Sequence, residues 1–118
     1  MHRRAIAESL LLKFRGSQDI CLIYEPNHNI ANIIIHNYDA KAALIEATES
    51  GPYGMNYCLA LCKKIRKQTP GCKLILMCSE QDEENVRQVV NAKGKKLIDD
   101  FVFYDVTIDY LVSKLMSI

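Results

Sequence analysis

Tryptophan is absent from this 118-residue chain, while glycine occurs only five times and proline three. Collagen-like and proline-rich architectures are thereby excluded. No apolar run approaches the ~18 residues that a membrane-crossing helix needs, so no membrane partner is expected. Excess charge is missing too: fifteen Lys and Arg against fourteen Asp and Glu leave +1. A nucleic-acid-binding domain usually carries a pI above about 9, so no direct nucleic-acid contact is expected. Histidine is scarce, and His2, His28 and His36 stand in no paired spacing that would mark a zinc site. No Gly-rich phosphate loop is present. The opening stretch MHRRAIAESLLLKF has no clean apolar core or cleavage site of a secretory signal. A cytoplasmic protein with reduced thiols is expected.

What the chain does contain is ordinary globular material. Hydrophobic residues make up 49% and charged residues 25%, which argues against disorder. The length fits one domain spanning residues 1–118. The five cysteines are Cys21, Cys58, Cys62, Cys72 and Cys78, an odd number. Cys58 and Cys62 lie four apart on the apolar stripe of a helical pattern, where they read as small buried hydrophobes.

Hydrophobic periodicity divides the chain into elements. Residues 2–15 read as a helix stopped by Gly16. Residues 20–24 (ICLIY) and 32–36 (NIIIH) read as buried strands, separated by a turn at 26–29. Residues 40–47 (AKAALIEA) are strong helix formers. The loop TESGPYG precedes a helical stripe through Tyr57, Cys58, Leu61, Cys62 and Ile65, ended by Pro70-Gly71. A strand is expected at 74–78, then a helix capped by Ser79 and stopped by Gly94. A fourth strand at 101–104 and a last helix capped by Thr107 complete the chain. Apolar strands alternating with amphipathic helices predict a three-layer α/β/α, doubly wound parallel sheet of four or five strands. Ligands in such sheets sit beyond the carboxyl ends of the strands. On this reading those ends are Tyr24 to Glu25, His36 to Asp39, Cys78 to Glu80 and Tyr104 to Asp105.

The second half, KKIRKQTPGCKLILMCSEQDEENVRQVVNAKGKKLIDDFVFYDVTIDYLVSKL, resembles the receiver domain of bacterial two-component response regulators. Upstream, RRAIAESLLLKF resembles that family's first helix and IIIHNYD its third strand. The resemblance implies a flavodoxin-like fold. It also implies a site of carboxylates holding Mg²⁺, an Asp that accepts a phosphoryl group, a hydroxyl that reads it and a Lys that pairs with it. Carried over, the acceptor falls on Asn37, the hydroxyl on Ser79 (or Cys78 one residue earlier), the Lys on Tyr104 and the following Pro on Asp105. Asn37 cannot form an acyl phosphate. The first strand, with its acidic pair, is missing from the pattern.

The resemblance therefore implies a degenerate receiver that works in signalling by protein contact, without catalysis or phosphoryl transfer. No cofactor is expected, Mg²⁺ entering only where the acidic site is active. The face implied for partners holds Val90, Lys95, Tyr104, Asp105, Tyr110 and Lys114. A sheet lacking one strand leaves an edge open to pairing, which predicts a homodimer. Two other readings stand beside this one. In one, Asp39 accepts the phosphoryl group and Glu25 helps to hold Mg²⁺. In the other, an unrelated α/β protein binds a ligand among His36, Asn37, Ser79 and Tyr104. Asp99 and Asp100 precede a strand at its amino end and read as a solvated turn. Lys63, Lys64, Arg66 and Lys67 read as a solvated helix face, with no aromatic interleaved for stacking on bases.

Overall fold

A computed structural model describes residues 2–15, 22–49 and 51–117. The elements run α1 (His2–Phe14), a 3₁₀ turn (His28–Ile30), α2 (Ala31–Tyr38), β1 (Ala42–Glu46), α3 (Met55–Gln68), β2 (Lys73–Cys78), α4 (Glu83–Gly94), β3 (Asp100–Phe103) and α5 (Ile108–Met116). Among the described residues the sheet has three parallel strands in the order β1-β2-β3. This is the α/β layering expected, with helices on both faces.

β2 is central and carries the fold. Leu74, Ile75, Leu76, Met77 and Cys78 are all buried. Strand alternation sends Leu74, Leu76 and Cys78 into the core under α2, α3 and α4, with Ile65, Val89 and Ile98. It sends Ile75 and Met77 into the layer under α1 and α5, with Leu10, Val102 and Leu111.

Two elements are exchanged relative to the sequence pattern. Residues 32–36, expected as a strand, form the middle of α2, and residues 40–47, expected as a helix, contain β1. Local propensity favours the opposite in each case, by some tenths of a kcal/mol per residue. Tertiary burial outweighs it. α2 buries Ile35 and Asn32 against α3, and the Asn32 amide donates to Gln68 Oε1 at 3.2 Å. Asp39 then ends α2 in a left-handed conformation, φ 50°. The Ala40 N–H bonds to Ile35 O at 3.0 Å and the Asp39 N–H to His36 O at 3.2 Å, the paired bonds of a Schellman stop. β1 buries Ile45, and its backbone pairs with all of residues 73–77.

Smaller differences follow the same logic. The strand expected at 20–24 lies in part outside the described residues, and Leu22, Ile23 and Tyr24 carry no regular structure. α4 is capped by Asp82, not Ser79: Asp82 Oδ1 accepts from the N–H groups of Glu84 and Asn85. A carboxylate at this position also meets the positive end of the helix. α4 ends at Gly94 as expected, and the left-handed residue of the turn after it is Lys96, φ 64°. Thr107 caps α5 as expected, its Oγ1 accepting from Tyr110 N–H.

Candidate functional site

The carboxyl ends of the three strands bring Glu46, Ser79 and Tyr104 to one end of the sheet. Glu46 closes β1, Ser79 follows β2 and Tyr104 follows β3. The Tyr104 hydroxyl lies 2.9 Å from Glu46 Oε2 and 3.0 Å from Ala47 O. Its single proton is shared between a carboxylate and a carbonyl, which ties the end of β3 to the end of β1 across the end of β2. A phenol supplies a neutral donor here, with no cationic head. Ser79 is buried, and its Oγ accepts from the Gln81 N–H at 3.2 Å, which shapes the turn into α4.

The Glu46 main chain is fixed as well. Its carbonyl accepts from His28 Nε2 at 2.7 Å and from the Cys58 thiol at 3.4 Å. The first bond sets the tautomer: Nε2 carries the proton. The His28 ring stacks on Tyr53 at 4.4 Å with 16° between planes. The Tyr53 hydroxyl donates to Asn27 Oδ1 at 2.7 Å, and the Tyr57 hydroxyl to Asn29 Oδ1 at 3.1 Å. The loop after β1 is closed on itself by the Thr48 N–H bond to Tyr53 O at 2.9 Å. Aromatic stacking and hydrogen bonds thus clamp this loop onto the 3₁₀ turn, over the end of β1.

Outside the loop lies an open cleft lined by Glu49, Ser79, Gln81, Asp82, Glu83, Glu84 and Arg87. Four carboxylates face one guanidinium, and Arg87 already holds Glu84 at 2.9 Å. Such a mouth disfavours a dianionic ligand. Among the described residues no group of three or more His, Cys, Asp or Glu side chains converges as metal ligands would.

Several residues expected at the site are elsewhere. Asn37 sits exposed on α2, and Asp39 is the exposed stop of that helix, 3.3 Å from Lys41 Nζ. Both are at the amino end of β1, so neither joins Ser79 and Tyr104. His36 is also on α2, with Nδ1 3.4 Å from Thr69 Oγ1. The cluster of His36, Asn37, Ser79 and Tyr104 is therefore split between opposite ends of the sheet. Glu25 does approach the end of β1: it lines a cavity with Glu46, and its Oε2 accepts from the Asn27 N–H at 2.9 Å.

Glu46 was concealed by the helix-forming composition of AKAALIEA. A signal for it was present nonetheless. The loop TESGPYG opens a helix, and in a parallel α/β chain the segment immediately before such a loop is a strand. The residue ending that strand is the one to inspect.

On the face made by α4, β3 and α5, Val90 and Tyr110 are about half exposed, and Lys95 and Asp105 are exposed. Asp100, expected in a solvated turn, instead pairs with Lys93 at 3.1 Å and with Lys114. Burial pushes the Asp100 carboxyl up, but the bonds from Lys114, the Phe101 N–H and Lys93 together hold it below the usual carboxylate range. The Lys114 ammonium is raised mainly by its bond to Asp100. The two lysines also lie over the Phe101 and Tyr110 rings, at 5.7 and 5.8 Å from the centroids.

No protein-family model matches the chain, and no curated protein does. Solved structures do. A CheY-like response regulator receiver domain protein from Methanospirillum hungatei JF-1 superposes with a TM-score of 0.71, over 98% of this chain and 86% of that one, at 22% identity. The BeF3-activated N-terminal receiver domain of Klebsiella pneumoniae RstA gives 0.64, over 92% and 87%, at 21% identity. Identity at this level speaks to architecture, and the architecture agrees over nearly the whole chain: the protein has the flavodoxin-like fold of response regulator receiver domains.

Proposed function

We propose that this chain is a degenerate receiver, acting in two-component signalling through protein contacts and without phosphoryl transfer. One observation carries the reading. Once β1 is identified as the strand before the long loop, the acceptor position falls at its carboxyl end, on Glu46, and Glu46 Oε2 is already bound by Tyr104. The Lys position is the same Tyr104, whose neutral hydroxyl offers no charge to a phosphoryl group. A new phosphate needs cationic partners to be held, and the adjoining cleft is predominantly acidic. Asp39 as acceptor loses its support, because it caps α2 at the far end of the sheet.

The test uses Mg²⁺ with beryllofluoride, a mimic of an aspartyl phosphate, followed by amide NMR on the full chain. No change is expected at Glu46, Ala47, Ser79 and Tyr104. Saturable shifts at those four amides sink the reading and make the protein a phosphorylation switch.

The proposed partner surface is the face of α4, β3 and α5, with Val90, Lys95, Tyr104, Asp105, Tyr110 and Lys114. It combines the half-exposed Val90 and Tyr110 with Lys114, which Asp100 holds in place. A second copy of the chain is the first partner proposed there. Light scattering at micromolar concentration should then give about twice the 13.4 kDa of one chain, and the Tyr110→Asp variant should return it to one. A wild-type chain of single mass under these conditions removes the homodimer.

A further inference from the structure

Beside β1 lies a cavity of about 180 Å³, bounded by α1, residues 22–28 and β1, with Met77 of β2 in its inner wall. Its walls come from both faces of the sheet. Ile6, Leu10 and Leu44 belong to the apolar layer under α1 and α5. Ala31 and Ile45 belong to the core on the other face. A cleft in one face of a sheet cannot reach both layers, so this cavity continues the plane of the sheet past β1.

The backbone supports the same reading. The Ala47 N–H donates to Met77 O and the Lys73 N–H to Lys41 O, so the odd-numbered residues of β1 turn their peptide groups to β2. Strand geometry turns those of Ala42 and Leu44 the opposite way. On that side β1 has no strand partner among the described residues. The ladder is capped at its carboxyl end, where His28 Nε2 occupies the Glu46 carbonyl. A row of outward N–H and C=O groups is a template for another strand. Because both faces beside it are covered, the added strand must be apolar on both sides, as in parallel sheets. Charge narrows the occupant further. Among the described residues lining the cavity, Glu25 and Glu46 are the carboxylates, His28 and Tyr24 are the other titratable groups, and there is no Lys or Arg.

We infer that the slot beside β1 is a strand-acceptor site for a separate partner chain. The segment it takes is extended, apolar on both faces, parallel to β1, and carries a lysine or arginine at its carboxyl end beside Glu25. This does not rest on the reading of Glu46 and Tyr104 as a silent phosphorylation site.

The experiment titrates the full ¹⁵N-labelled chain with the synthetic peptide Val-Ile-Val-Ile-Val-Lys, extended at its amino end by Gly-Ser repeats for solubility. Saturable shifts are expected at Leu22, Leu44 and Ile45, with the Leu44 amide gaining protection from hydrogen exchange. The peptide ending in Glu should bind roughly threefold more weakly, the scale of one half-exposed ion pair. The Ala7→Phe variant, which fills the cavity from α1, should bind at least about tenfold more weakly, the loss of one well-packed apolar side chain. Hydrogen exchange on the wild-type chain needs no variant. A Leu44 amide already protected in the free monomer overturns the inference, because the slot is then filled from within. So does protection that grows with protein concentration alone, which makes a second copy the occupant. Binding of benzene at Leu44 and Ile45 without binding of the peptide also overturns it, in favour of a small-ligand pocket.

Discussion

Raising the pH from 7 to about 10.5 is expected to remove about 8 kcal/mol of folding stability, close to all that a domain of this size has. The cause is the four buried thiols, Cys58, Cys62, Cys72 and Cys78, each with no measurable exposure. Burial pushes Cys58 and Cys62 up to about 12, and Cys72 and Cys78 up to about 11, from 9.0. The neighbouring Arg66 lowers Cys62 and Cys72 in part. The folded chain thus keeps protons that the unfolded chain gives up. A raised value in the fold means stability that is complete below pH 9 and falls as pH rises from there toward 11 and 12. At pH 10.5 each thiol accounts for about 2 kcal/mol. Urea unfolding followed by circular dichroism at pH 7, 9 and 10.5 measures the loss. The double variant Cys72→Ala/Cys78→Ala should show about half of it. An unchanged loss in that variant would assign alkaline unfolding to other groups.

The same burial decides what the cysteines do. At neutral pH the thiolate of Cys58 or Cys62 is about a thousandfold scarcer than in an ordinary thiol, and thiolate is the form that attacks electrophiles and binds metals. The sequence already pointed there. Cys58 and Cys62 share one helix face with Leu61 and Ile65, and α3 buries that face.

How much of the architecture was legible depended on where local preference and tertiary burial agree. They agree in β2, where five consecutive apolar residues can only be a strand buried on both faces. They agree in α3 and in α5, whose cap at Thr107 is explicit in the sequence. They disagree between residues 31 and 46. There a run of three isoleucines forms a helix because one of them, Ile35, and Asn32 reach the core, and an Ala-rich segment forms a strand because its backbone pairs with β2 and Ile45 is buried. That exchange hides Glu46 as the end of a strand and puts Asn37 and Asp39 in its place, although the residues after β2 and β3 do lie at strand ends. Tyr104 is legible as a residue at a strand end for this reason. Its partner is not, because the hydrogen bond spans 58 residues of sequence and no local pattern announces it.

Asp99 is the residue whose loss should cost most for its size. It was read as part of a solvated turn, yet one carboxylate oxygen, Oδ2, accepts from Leu74 N–H and from Arg66 Nη2, each at 2.8 Å. Arg66 extends the knot by donating from Nε to Leu97 O at 3.0 Å and from Nη1 to Cys72 O at 3.4 Å. One ion pair, three-quarters buried on both sides, therefore ties α3 to β2 and to the turn before β3. Asp99→Ala leaves the N–H of fully buried Leu74 without an acceptor and the guanidinium without its counter-ion. Each loss is worth about 1–3 kcal/mol, so a total near 3 kcal/mol is expected. Asp99→Asn keeps an acceptor for Leu74 and should cost roughly half as much, which separates the hydrogen bond from the charge. The pH dependence has a fixed sign. Burial pushes the Asp99 carboxyl up, but the Leu74 and Arg66 bonds outweigh it and hold the group below 3.8. A depressed value means stability that is complete above the unfolded range near pH 4 and lost as pH falls below it. The gap between the urea midpoints of the wild type and Asp99→Ala should therefore narrow as pH falls below about 4, toward the smaller gap that separates Asp99→Asn from Asp99→Ala. Midpoints that stay equally far apart at pH 7 and pH 2.5 would show that the carboxylate charge contributes nothing, and that Asp99 holds β2 to β3 by shape alone.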